Sequence, residues 1–176
     1  VGTLSGVINT ASGASLGVGA FPATHIVDFT AAPILPSGGT VRLTFNTAGF
    51  DTSPANANVN VVNWTVNGTA VPLLQTDVSA SGQQVTLRNS GARLPAGRHV
   101  ISVGNIVNSS VAGPNTLSVR FLTAGGALEA GPTDSSPFTT MSSPLASGAT
   151  TLSSNVASAT NVTYTIRFGT TLNFPR

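Results

Sequence analysis

The residues of this chain that could do chemistry are two histidines, five acids and many serines. His25 and His99 lie in the alternating stretches THIVD and RHVI. A serine hydrolase needs a serine on a strained turn, with a histidine and an acid brought to it. Neither histidine lies near a Gly-x-Ser-x-Gly motif. We therefore interpret both as residues on the surface of strands and not as catalytic bases.

The acids are too dispersed to predict a hydrolase or a metal site. They are Asp28, Asp51, Asp77, Glu129 and Asp134. Paired-carboxylate hydrolysis needs two acids at a fixed separation, and calcium loops cluster their carboxylates. The chain has no Cys, no pair of histidines at zinc-ligand spacing and no Lys for a phosphate loop. We expect no catalytic, metal-binding or cofactor-binding residue, and hence neither an enzyme nor a cofactor.

The basic residues are seven arginines, which are spread along the chain. They are Arg42, Arg88, Arg93, Arg98, Arg120, Arg167 and Arg176, and the formal net charge is +2. Nucleic-acid binding needs a concentrated basic face with aromatic residues among it. No nucleic-acid partner is therefore predicted. Several arginines alternate with apolar residues, and we interpret them as a solvated outer face; the alternative is a ligand-binding patch.

The composition favours a globular, exported protein with a charge-poor surface. Hydrophobic residues make up 40% of the 176 residues and suffice for a core, whereas only 7% are charged, against roughly 25% in an average soluble domain. Such a surface has little charge to keep neighbouring molecules apart, which favours self-association. No apolar run reaches the length of a membrane span. The first residue is Val1, as expected where an initiator or signal peptide has been removed.

The secondary structure is predicted to be almost entirely β. Short stretches rich in Val, Ile, Thr and Phe alternate apolar with polar residues, and Gly, Pro, Asn or Ser separate them. In TVRLTF, for example, Val41, Leu43 and Phe45 share one face, and this period of two indicates a sheet with one buried face. The predicted strands are 24–30, 39–46, 58–66, 69–75, 83–89, 98–103, 115–123 and 162–169.

The turns agree with a sandwich of antiparallel sheets. Asn67-Gly68 supplies the positive φ angles of a type I′ hairpin, and Ser81-Gly82 and Gly125-Gly126 are typical of tight connections. Eight or more short strands with frequent turns favour two facing sheets over a barrel. The predicted fold is an all-β, immunoglobulin-like antiparallel β-sandwich.

Two stretches resemble the immunoglobulin-like repeats of prokaryotic secreted and cell-surface proteins. Residues 26–51, with IVDFT, LPSGGTVRLTF and GFD, resemble their opening hairpin, and residues 94–123, with LPAGRHVISVGNIVN and AGPNTLSVRFLT, resemble their closing strands. The resemblance covers about a third of the chain. It implies a structural or adhesive role at a cell surface and carries over no catalytic residue.

The two ends of the chain look like strands that a neighbouring subunit could accept. Residues 164–175 repeat the pattern of residues 25–36, so the predicted division is an N-terminal extension or donor strand (1–22), the sandwich (23–141) and a C-terminal segment (142–176). That last segment either starts a second repeat or completes the sandwich. An unpaired strand edge adds readily to another sheet. The candidate strand-exchange residues are Val162, Tyr164, Ile166, Phe168, Leu4, Val7 and Ile8.

These features predict a structural subunit of an extracellular surface assembly, such as a pilus, filament, sheath or surface layer. Its partners would be copies of itself, joined through strand edges as a homo-oligomer or polymer. One alternative is an adhesin or carbohydrate-binding module that takes a glycan, and another is a virion decoration domain. Trp64, the one Trp, is interpreted as a core residue; finding it exposed beside a polar groove would favour the carbohydrate-binding alternative.

Overall fold

A computed structural model describes residues 1–11, 16–142, 147–152 and 164–169 of the chain. Short 3₁₀ turns at Ser53–Ala55, Val59–Val61 and Gln75–Asp77 interrupt an otherwise β structure. The strands, numbered in chain order, are β1 (Leu4–Thr10), β2 (Ala23–Ala31), β3 (Thr40–Phe45), β4 (Val62–Val66), β5 (Thr69–Ala70), β6 (Val78–Ser81), β7 (Gln84–Arg88), β8 (Gly97–Ile106), β9 (Gly113–Asn115), β10 (Leu117–Leu122), β11 (Leu128–Asp134), β12 (Phe138–Thr140), β13 (Ser147–Leu152) and β14 (Tyr164–Gly169).

Two five-stranded antiparallel sheets form the body of the protein. Sheet 1 has the strand order β1-β2-β8-β4-β5, and sheet 2 has the order β11-β10-β3-β7-β6. The order β1-β2-β8-β4 matches strands A-B-E-D of an immunoglobulin domain, and β11-β10-β3 matches G-F-C. Strands β7 and β6 extend sheet 2 beyond β3, but they follow β4 in the chain, unlike the added strands of a variable domain. The predicted all-β, immunoglobulin-like sandwich is confirmed.

The core lies between the two sheets and is rich in aromatic rings. On β2, Val27 and Phe29 point inward while Thr24 and Ile26 are exposed. The ring of Phe29 meets that of Phe121 on sheet 2 edge to face, with centroids 5.8 Å apart. Truncating such a ring to Ala costs about 3 to 5 kcal/mol. The alternation of each strand therefore places apolar side chains between the two sheets, and the packing of these side chains holds the sheets together.

Strand β1 closes one side of the sandwich. It pairs with β2 from Leu4 to Thr10, with a bulge between Ser5 and Ile8. Its other edge meets the segment that includes β11: the amide of Gly2 donates to the carbonyl of Glu129 (2.7 Å), and that of Ser136 donates to the carbonyl of Val7 (3.0 Å). Residues of both sheets thus share hydrogen bonds across this seam, which we call the β1–β11 seam.

Two predicted strands are shorter than expected, for local reasons. Residues 59–61 form a 3₁₀ turn, which Asn58 caps by accepting a hydrogen bond from the Asn60 amide, so the strand begins at Val62. Strand β5 ends at Ala70, two residues before Pro72, which has no amide hydrogen to extend the ladder. The type I′ turn is as expected, with positive φ at Asn67 and Gly68.

Strands β13 and β14 form an antiparallel ribbon of their own. The pairing runs in one register from Ser147↔Gly169 to Leu152↔Tyr164. Among the described residues, this ribbon belongs to neither five-stranded sheet. Whether the segment 142–176 starts a second repeat stays a prediction.

Candidate functional site

His25 is a core residue, and the expectation that it lies on the strand surface is wrong. It shares the inward face of β2 with Val27 and Phe29, and only 1% of it is exposed. Its Nδ1 lies 3.1 Å from Nδ2 of Asn9, and its Nε2 lies 2.9 Å from Oδ1 of Asn108. The neutral ring with its proton on Nε2 satisfies both contacts. Burial lowers the pKa of His25, and the hydrogen bond to Asn108 partly offsets this effect.

His99 is also buried in the core, so the same correction applies to it. It lies on the inward face of β8 and stacks on Phe29, with ring centroids 5.2 Å apart. Its Nδ1 accepts a hydrogen bond from the indole Nε1 of Trp64 (3.2 Å). Burial lowers the pKa of His99 to about 4, although the carbonyl of Pro95 opposes this shift. A neutral imidazole here serves as a partner for the indole.

Trp64 is buried, as expected from the sequence. It is 1% exposed and joins the core through its contact with His99. An exposed Trp64 beside a polar groove was the observation that would have favoured a carbohydrate platform. The side chain is not available for that role.

The carboxylates do not converge into a reaction centre in the described part of the chain. No group of three or more His, Cys, Asp or Glu residues there could hold a metal ion. Four of the five carboxylates accept hydrogen bonds from the protein itself: Asp28 from Arg98, Asp51 from the Ser53 amide, Asp77 from the Leu74 amide and Ser90, and Asp134 from Asn46 and Ser118. Each of these four carboxylates is therefore held by hydrogen bonds within the fold.

Two shallow grooves are lined by amides, hydroxyls and aliphatic groups. One, of about 370 Å³, lies between the β4–β5 hairpin and the loop that precedes β8, and its walls include Val66, Asn67 and Arg93. The other, of about 340 Å³, runs past Thr24, Asn63 and Ser102. Neither groove brings an acid or a histidine to its wall. Both lack the convergent titratable groups of a reaction centre.

The outer face of sheet 1 is poor in charge. Register places Ile8, Asp28, Val100 and Thr65 in one row across four strands. Ile8 and the neighbouring Ile26 are 51% and 42% exposed. The charges on this face pair with each other, because Arg98 Nε lies 3.0 Å from Oδ1 of Asp28. The face thus combines exposed isoleucines with a local ion pair.

The outer face of sheet 2 carries three arginines that the sequence separates. Arg120 on β10 lies directly opposite Arg42 on β3. On the next strand, Arg88 lies opposite Thr40, two residues along from Arg42. Directly opposite residues are roughly 5 Å apart and diagonal neighbours about 7 to 8 Å apart, so Arg42 lies between Arg120 on one side and Arg88 on the other, on three adjacent strands. We call this group the arginine face. Arg88 and Arg120 are exposed and Arg42 is half-buried, so these arginines lie on the outer face, as expected. Whether they form a ligand-binding patch stays a prediction, and their clustering was not foreseen.

The candidate strand-exchange residues fall into two groups. Leu4, Val7 and Ile8 lie in β1, which in a single chain completes its own sheet; Leu4 and Val7 are buried there. Tyr164, Ile166 and Phe168 occupy alternate positions of β14, opposite Leu152, Thr150 and Gly148. Val162 lies outside the described residues. Exchange of either segment between subunits stays a prediction.

Comparison with known proteins gives distant structural likenesses. No protein-family model and no curated protein sequence matches the chain. Among solved structures, it is similar to the bacterial hydrophobin BslA, with 18% identity, a TM-score of 0.45, and coverage of 81% of this chain and 99% of that one.

Two pilins are also similar in structure. The major pilin subunit BcpA of Bacillus cereus has 14% identity and a TM-score of 0.38, with coverage of 79% of this chain and 40% of the pilin. The T6 backbone pilin of Streptococcus pyogenes has 8% identity and a TM-score of 0.37, with coverage of 97% and 36%. The chain therefore matches less than half the length of these pilins. All three likenesses are too distant to assign a function.

Proposed function

We propose that this chain is a non-catalytic structural module of an extracellular surface assembly, and that neighbouring copies join through strand edges. The observation that carries the proposal is the β13–β14 ribbon. An isolated two-stranded ribbon is at best marginally stable in water. In the described part of the chain, β13 and β14 pair with each other only. The outer edges of such a ribbon offer unpaired backbone groups to a further strand.

The outer face of sheet 1 supports the same proposal. The side chains of Ile8 and Ile26 are exposed on adjacent strands, with Asp28 directly opposite Ile8 and Thr10 directly opposite Ile26. The Asp28–Arg98 pair leaves this face without an unpaired charge. A neighbouring molecule could pack there without burying an unpaired charge, which is the costly step in forming a dry contact.

A proline substitution in β14 tests the role of the ribbon. Ile166 pairs with Thr150 in the middle of the ladder. Ile166→Pro removes a backbone donor and distorts the strand, whereas the matched Ile166→Val keeps the ladder and the β-branched shape. We expect the unmodified chain and Ile166→Val to form fibres or lattices in negative-stain electron microscopy, and Ile166→Pro to stay monomeric in sedimentation.

The chain contains a built-in control for this experiment. Trp64 is the one Trp, and it is buried in the sandwich. Its fluorescence therefore reports the sandwich fold independently of β14. An Ile166→Pro protein with unchanged Trp emission that still assembles like the parent would rule out the ribbon as the joint. An unmodified chain that stays monomeric at high concentration would overturn the proposed function itself.

A further inference from the structure

The arginine face places like charges against one another on adjacent strands. Arg42 and Arg120 are direct cross-strand neighbours, and Arg88 is diagonal to Arg42. Like charges directly opposite each other in a sheet destabilise it. The Nε of Arg42 is, in addition, buried without a hydrogen-bond partner among the described residues. This arrangement therefore costs folding stability.

The chain supplies little negative charge to relieve this repulsion. Within the described residues, the one ion pair joins Arg98 to Asp28, on the other sheet. Asp134 lies on the arginine face opposite Ser118, but it accepts hydrogen bonds from Asn46 and Ser118. The carboxylates on β11, the strand beside Arg120, are thus Asp134, which is already engaged, and Glu129. Residues 142–176 contain no Asp or Glu, so the side chains of the C-terminal segment cannot supply the missing charge.

A second copy of the chain is also a poor source of anions. Of its five acids, four are hydrogen-bonded within their own molecule, which leaves Glu129 as the one without such a bond in the described structure. Three clustered guanidiniums need several carboxylates at close spacing. The charge balance therefore favours an external polyanion.

We propose that the arginine face binds a carboxylated polysaccharide, with Arg42, Arg88 and Arg120 as the charged contacts. Guanidinium groups pair with carboxylates through two parallel hydrogen bonds. Around them, Thr40, Thr86 and Gln84 offer the hydroxyls and the amide that suit sugar hydroxyls. The three arginines lie on strands other than β13 and β14, so the inference does not depend on the ribbon or on assembly through it.

A nucleic acid is a weaker fit to this surface. Single-stranded nucleic acids are held largely by bases stacked on aromatic side chains within a basic groove. The outward positions of β3, β7 and β10 carry Thr, Gln, Ser, Arg and Leu, and no aromatic residue. A polymer with regularly spaced carboxylates matches it better than one that needs stacking platforms.

Binding of polygalacturonate by the full-length chain tests the proposal. At about 0.15 M salt, we expect Arg120→Gln to weaken binding about tenfold, because one charge-assisted contact is lost. Arg42→Gln with Arg120→Gln should weaken it further, and Arg42→Lys with Arg120→Lys should restore part of it. The control is Arg93→Gln, which removes one charge from an exposed loop and should change the affinity less than twofold. Trp64 emission verifies the fold of each variant.

Several outcomes would overturn the inference. One is an equal loss of affinity in Arg93→Gln and Arg120→Gln, which would indicate non-specific attraction to net charge. A second is binding of neutral dextran as tightly as polygalacturonate. A third is tighter binding of a single-stranded DNA oligomer with the same dependence on Arg42 and Arg120, which would assign the face to nucleic acid. Absence of polygalacturonate binding by the unmodified chain would also contradict it.

Discussion

At the scale of single residues, the two histidines determine how the core responds to acid. Both rings are held neutral between the sheets, His25 by two asparagines and His99 by Trp64 and Phe29. The nearest rings are aromatic and carry no charge that could stabilise an imidazolium. Protonation of either ring therefore places a charge inside the sandwich, which is costly without a counter-ion.

The lowered pKa of His99 predicts that the protein is less stable in acid. The pKa is about 4 in the folded state against 6.5 for the free side chain. Between these values the unfolded chain binds more protons, so the free energy of unfolding falls as the pH drops from about 6.5 toward 4. The loss is roughly 2 to 3 kcal/mol. Denaturant unfolding followed by Trp64 fluorescence at several pH values measures it.

His99→Gln is the control for this effect. Glutamine keeps an acceptor for the indole of Trp64 but does not titrate, so the variant should be less stable at pH 7 yet show a flatter dependence on pH. A dependence as steep as that of the parent would mean that other groups cause the loss. Because the chain has two histidines, the pKa of each imidazole can also be measured directly by NMR titration.

The burial of His25 could have been predicted from the sequence. His25 is separated by two and four residues from Val27 and Phe29, so the period of two already places it on the inward face of β2. Its apolar outward neighbour, Ile26, obscured the pattern, because both faces of the strand contain apolar residues. The partners Asn9 and Asn108 could not have been foreseen, since they lie 16 and 83 residues away and only the fold brings them together.

At the scale of elements, the alternating pattern predicted the central strands well and the edges poorly. The observed limits lie within about two residues of the predicted ones for β2, β3, β7 and β10. Each of these strands is paired on both sides and buries one face, so its apolar residues must recur at every second position. Strands β6, β9, β11, β12 and β13 were missed. The sequence of β11, LEAGPTD, contains a Gly and a Pro and does not alternate clearly. Its strand conformation depends on pairing with β10 and on contact with β1.

The bulge at Gly131 is expected to be essential for the β1–β11 seam. Gly131 has φ +84°, and a Cβ there would lie 2.5 Å from the Val119 carbonyl oxygen. Gly126, in the turn before β11, has φ +82° and open space around it. Because the strain in φ is common to both, the clash at Gly131 should make Gly131→Ala lower the free energy of unfolding by roughly 1 to 3 kcal/mol more than Gly126→Ala. Equal losses in the two variants would show that strain in φ alone is responsible.

The proximity of the three arginines could not be predicted from the individual strands. The sequence placed Arg42, Arg88 and Arg120 on the polar sides of separate strands, and this was correct. Their proximity depends on which strands become neighbours and in which register, since a shift of one residue would send a strand's side chains to the opposite face. Strand order across the two sheets was not contained in the local pattern.

At the scale of the whole molecule, stability comes from the apolar core and contains little ion pairing. In the described part of the chain, the one ion pair, Arg98–Asp28, has side chains that are 66% and 31% exposed. A pair this exposed to solvent adds little to stability, because water and salt screen the attraction. The Arg98 guanidinium lowers the pKa of Asp28, mainly through their hydrogen bonds. Ion pairing thus contributes less than the apolar core to the free energy of unfolding.

The melting temperature should therefore depend weakly on salt. Raising NaCl from about 0.05 to 1 M screens the Asp28–Arg98 attraction, but it also screens the repulsion between Arg42 and Arg120. We expect calorimetry to show a change of at most a few degrees, and Asp28→Asn to abolish any decrease. A large decrease in melting temperature with salt would contradict the view that the core dominates.

The β1–β11 seam has a consequence for the order in which the chain becomes structured. Residues near the start, such as Gly2 and Val7, take their second set of hydrogen bonds from Glu129 and Ser136, more than a hundred positions downstream. During synthesis, β1 therefore cannot complete its hydrogen bonding until most of the sandwich has been made. Closure of this side of the sandwich is one of the last steps in its folding on the ribosome.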